Sequence, residues 1–149
     1  MFGGELGLDE VLDMLDKTAK RLQKIIDETK EATSKQSVLY EQIVQAPTAT
    51  DEQKIKAFMR KTRFLDQLES LNSQLGLIYM LQIFAFKVKV LEVTVEKMNE
   101  QLVNSGMPKT GELDEVKKNI DALKILIEAQ YESMREIRET KTKALDYIH

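Results

Sequence analysis

The chain has 149 residues, 42% hydrophobic and 32% charged, with only 6 Gly and 2 Pro. That is too apolar for a disordered chain and too poor in turn formers for a many-stranded sandwich or barrel. Cysteine is absent and the one histidine is His149, at the frayed end of the pattern, so disulfides, thiolate chemistry and a scaffold-held imidazole are excluded; a net charge of −3 argues against a general nucleic-acid binder.

The first predicted element is a helix over about 8–45. A heptad with Leu8 at a places Leu15, Leu22, Thr29, Gln36 and Ile43 at later a positions and Val11, Thr18, Ile25, Ala32 and Leu39 at d. Leu12, Ala19, Ile26 and Tyr40 lie beside them at e, and the stripe weakens between Asp27 and Ser37. Pro47 ends this pattern because it disfavours helical geometry at Ala46.

Thr50-Asp51-Glu52-Gln53 reads as a capping box opening a second helix, over about 51–103. The alternation Phe86-Lys87-Val88-Lys89-Val90 suggests a strand, but helical spacing runs through Leu77, Leu81, Phe84, Val88, Leu91, Val95, Met98 and Leu102, and length and period decide for helix. Gly76 is the one plausible break, with no polar loop beside it. The Gly and Pro signals between Asn104 and Gly111 close this helix. A third follows over about 112–148, with Leu113, Ile120, Ile127, Met134 and Ile148 at a and Val116, Leu123, Ile137 and Ala144 at d. The fold class is therefore all-α: a single domain, an elongated antiparallel bundle of three long helices, or four if the second breaks at Gly76.

The second helix carries more apolar surface than such a bundle covers. Ile55, Met59, Leu77, Leu81, Phe84, Val88, Leu91, Val95, Met98 and Leu102 form one stripe; Phe58, Leu65, Leu68, Leu75, Tyr79, Ile83, Phe86, Val90 and Val93 form a nearly opposite one. Two opposed stripes imply cover on both sides. Leu12 and Met14 on the first helix, and Ile125 and Leu126 on the third, add surplus at the same level. A second chain, or the segment 2–8 folded back, would have to cover the belt, since monomers rarely leave large contiguous apolar patches in water. The expected partner interface is Leu75, Tyr79, Ile83, Phe86, Val90, Val93 and Ile125.

Charge is unevenly spread. Lys54, Lys56, Arg60, Lys61 and Arg63 stand against two acids in the stretch 51–64, with Arg138, Lys141 and Lys143 able to approach, while Glu5, Asp9, Glu10, Asp13 and Asp16 have no base among them. The basic run is a candidate docking surface for anionic membrane or acidic protein. The most apolar stretch contains Gln82, Lys87, Lys89 and Glu92 and is a poor membrane span, so a cytoplasmic location is expected.

Catalytic chemistry finds little support. Acidic pairs occur at helical spacing (Glu10/Asp13, Glu28/Glu31, Glu92/Glu96, Glu132/Glu136, Glu136/Glu139), but they suggest no converging ligand set, because Glu10, Asp13, Glu132, Glu136 and Glu139 fall at outer heptad positions. Gly3, Gly4 and Gly7 lack the strand and Lys-Ser/Thr of a phosphate loop. Thr29, Gln36, Gln130 and Lys141 read as register-setting or hydrated layers, and Met59, Met80, Met98 and Met134 as core. The expectation is a non-enzymatic helical interaction or assembly protein. A peripheral binder of anionic membrane or acidic protein surfaces is the alternative, and a metal-dependent all-α hydrolase a distant third. No cofactor, small-molecule substrate or nucleic acid is expected; the partner is a second copy or another helix.

Overall fold

A computed structural model describes residues 7–148 apart from 108–110, with side chains described for 7–107 and 111–135. It is all-α: α1 is Leu8–Gln45, α2 is Asp51–Asn104 and α3 is Gly111–Ile148, with no strand among the described residues. α2 runs unbroken through Gly76, so three helices form rather than four.

The helix ends follow from local chemistry. The Gln53 N–H donates to Thr50 Oγ1 at 3.2 Å and the Thr50 N–H donates to Gln53 Oε1 at 2.9 Å, which completes the capping box. At the other end of α2 the Met107 N–H donates to the Leu102 carbonyl and the Gly106 N–H to that of Val103. This is a Schellman motif, and it requires the left-handed backbone that Gly106 supplies at φ 74°.

Contacts group the chain into two compact units, and α1 and α2 each contribute to both. In the unit formed by Lys17–Ile78, the core is Ala19, Leu22, Ile26, Ala57, Leu75 and Ile78 with buried Thr18, Thr29 and Thr33. Thr29 and Thr33 donate their hydroxyls to the carbonyls of Ile25 and Thr29, both at 2.7 Å, so these two buried hydroxyls are satisfied within α1 itself. Tyr40 meets Phe58 with ring centroids 6.0 Å apart, and Lys61 Nζ lies 4.7 Å above the Tyr40 ring.

The other unit holds the described residues up to Asp16 and from Tyr79 onward. Its core is Leu8, Val11 and Leu15 from α1, Leu81, Ala85, Val88 and Val95 from α2, and Leu113, Ile120, Ile127 and Tyr131 from α3. Ion pairs join Asp9 to Lys89 and Glu92 to Lys124, linking α2 to each neighbour.

Two details differ from the heptad expectation. Along α1 burial moves from d to e after Leu22: Ile26 is buried and Ile25 exposed, and Thr33 is more buried than Ala32. Buried residues recur eleven apart (Val11, Leu22, Thr33; Leu15, Ile26), because 3.6 residues per turn drift off a seven-residue repeat. On α2 the packed face is turned toward Ala85 and Glu92, and the expected core residues Leu77, Phe84, Leu91 and Met98 are exposed. Ala85 is fully buried and lets neighbouring helices approach at a level where Phe84 would hold them apart. Met59 and Met80, also expected in the core, are exposed, whereas Met134 is half-buried.

Candidate functional site: an uncovered seam on the second helix

The strongest candidate for a functional surface lies on α2 directly behind its packed face. Leu81, Ala85, Val88 and Val95 are buried, and a half turn away Tyr79, Ile83, Phe86, Val90 and Val93 are 46%, 58%, 59%, 48% and 41% exposed. These five are spaced alternately four and three residues apart, the period that keeps side chains on one line along a helix. They belong to one unit and one uninterrupted helix. Phe84, Leu91 and Met98 form a second exposed line, seven residues apart and about a third of a turn away around the helix. The side of α2 bearing Lys89 and Glu92 is engaged by Asp9 and Lys124.

Two expected interface residues stand elsewhere. Leu75 is 7% exposed in the core of the other unit, so it is not available at the surface. Helical spacing groups it with Tyr79, four residues away, but packing within its own unit claims it. Ile125 is 59% exposed, on the side of α3 away from Ile120 and Ile127, with Leu126 exposed next to it. Of the surplus on α1, Leu12 and Met14 are half-buried. The expected fold-back of 2–8 lies outside the described residues except for Gly7 and Leu8.

The basic run does not form one surface. At 100° per residue Lys56, Arg60 and Arg63 share a side of α2, whereas Lys54 and Lys61 lie about a half turn away. Lys54 and Lys61 are half-buried, Lys61 over the Tyr40 ring, and Lys56 pairs with Glu52 at 3.2 Å. Lys56 and Arg60 border a cleft of about 390 Å³ at the α1–α2 connection, beside Ile43, Ala46 and Ala57. Arg138, Lys141 and Lys143 have side chains outside those described.

The acidic pairs are likewise dispersed. Glu10, Asp13, Glu28, Glu31 and Glu96 are exposed, and Glu92 is committed to Lys124. Glu132, expected on the outside, is half-buried, with its Oε2 enclosed. The side chains of Glu136 and Glu139 lie outside the described residues. Among the described residues no three His, Cys, Asp or Glu side chains converge as metal ligands, and no helix is long and apolar enough to cross a membrane. No protein-family model matches the chain, and neither the curated proteins nor the solved structures contain a match.

Proposed function

We propose that the chain is a non-enzymatic interaction or assembly protein, with its helices running antiparallel and the exposed seam of α2 as its working surface. The observation that carries this reading is the simultaneous burial of Ala85 and Val88 and exposure of Ile83, Phe86 and Val90 on the same helical turns. Half-exposed aromatic and branched side chains in that line leave on the order of 400 Å² of apolar surface uncovered. A helix contributed by another chain removes that surface from water at about 25 cal/mol per Å² of area buried, before the costs of association.

The test compares Tyr79→Glu and Phe86→Glu with the unaltered chain, by light scattering and by fluorescence of an anilinonaphthalene sulfonate dye. Both side chains are exposed, so melting should change little, while assembled mass or dye binding falls. A protein whose mass and dye binding both ignore the two charges would remove the reading.

A further inference from the structure

Resting on that reading, we infer that the occupant of the seam is a second copy of this chain, laid parallel and in register so that α2 packs on α2. With Ile83 at a, the line gives a positions Ile83 and Val90 and d positions Tyr79, Phe86 and Val93. β-Branched residues at a suit the geometry of a parallel two-stranded seam. The intramolecular core residues Val88 and Val95 then fall at f, directly opposite, and Lys89, paired with Asp9 of α1, falls at g on the edge of the seam.

Charge and side-chain pairing together choose the direction. In a parallel pair each g residue faces the e residue five places later on the other copy. Gln82 then faces Lys87 and Lys89 faces Thr94, with no like charges opposed. An antiparallel pair that sets Ile83 against Val93 and Phe86 against Val90 stacks Lys87 on its own counterpart, and Lys89 on its own; the other antiparallel register, with Ile83 against Phe86, avoids this but leaves Val93 facing the bare backbone of Gly76. In the parallel arrangement like charges meet only beyond the seam, at Lys97, where a long side chain reaches solvent and Glu96 and Glu100 lie alongside.

The area is also sufficient. A stable interface buries about 800 Å² per partner. The five seam residues contribute on the order of half of this as apolar surface, and the stems of Met80, Gln82, Lys87, Lys89 and Glu96 border them on both sides.

The experiment uses the full chain, which has no cysteine of its own. The unaltered protein is first weighed by light scattering from low to high micromolar concentration, where a mass near twice 17.1 kDa is expected. Phe86→Glu should weaken that dimer by about 30-fold or more, the effect of an interface hot spot. Tyr79→Cys and Val93→Cys, each alone under mild oxidation, should then form disulfide-linked dimers. Crosslinking only in a mixture of the two variants would overturn the parallel register. A monomer at every concentration would overturn the second copy as occupant. Dye binding separates the two levels of the reading. A monomer whose dye binding is lost in Phe86→Glu retains the seam as an interaction surface for another protein, and one whose dye binding is unaffected loses both.

Discussion

Glu92 of α2 and Lys124 of α3 form an ion pair between two half-buried side chains, and the Glu92 Oε2 that meets Lys124 is itself enclosed. Removing Lys124 strands a carboxylate where hydration is restricted, whereas removing both partners leaves an apolar layer between Val88 and Val95. Lys124→Ala is expected to cost about 1–3 kcal/mol. The double variant Glu92→Met/Lys124→Met should recover most of that loss. Urea unfolding of the three proteins checks the order, and a double variant no better than Lys124→Ala would show that the pair itself contributes more than the layer.

Two glycines should respond to alanine with opposite signs. Gly76 lies inside α2, and a Cβ there meets nothing within 4 Å. Gly76→Ala should stabilise the protein by about 0.5–1 kcal/mol through helix propensity and a less flexible unfolded chain. Gly106 also has room for a Cβ, but its φ of 74° is left-handed. Gly106→Ala should therefore destabilise by about 1–2 kcal/mol. Thermal unfolding of the pair distinguishes a backbone effect from a steric one, since the space around both positions is open.

Thr29 and Thr33 bury hydroxyls whose acceptors are carbonyls of their own helix. Such bonds add little to stability, because those carbonyls already accept backbone N–H groups, and they tend to bend a helix. Thr33→Val removes the donor without stranding a buried partner and adds a methyl to the core. We expect it to be neutral or to stabilise by up to about 1 kcal/mol, the value of one buried methylene. A loss of stability in denaturant unfolding would show that the hydroxyl fixes the path of α1.

Leu15 and Ile83 contrast core with seam. Leu15 is completely buried, so Leu15→Ala should cost about 2–5 kcal/mol through lost transfer energy and the cavity left behind. Ile83 is 58% exposed, so Ile83→Ser should cost the isolated chain less than about 1 kcal/mol. Its effect should appear instead as a change in mass that depends on concentration. Measuring both unfolding and mass for the two variants separates residues that hold the chain together from those that face outward.

Much of this was legible in the order of residues. Heptad spacing, Pro47 and the Thr50/Gln53 pair marked α1 and the start of α2, because helix period and capping depend on neighbours within a few positions. The excess of apolar residues around Tyr79–Val93 was legible for the same reason. The absence of cysteine likewise belongs to the sequence. Which side of α2 is packed was decided only by tertiary structure. Both sides are apolar, and a helix period cannot rank them. The small fully buried Ala85, the Glu92–Lys124 pair and the Asp9–Lys89 pair turn one side toward α1 and α3. That rotation sends Phe84 and Leu91 to the surface and leaves Ile83, Phe86 and Val90 in one exposed line, whereas Leu75 is buried by packing within the other unit. Close packing between distant segments made that choice, and no local pattern encodes it.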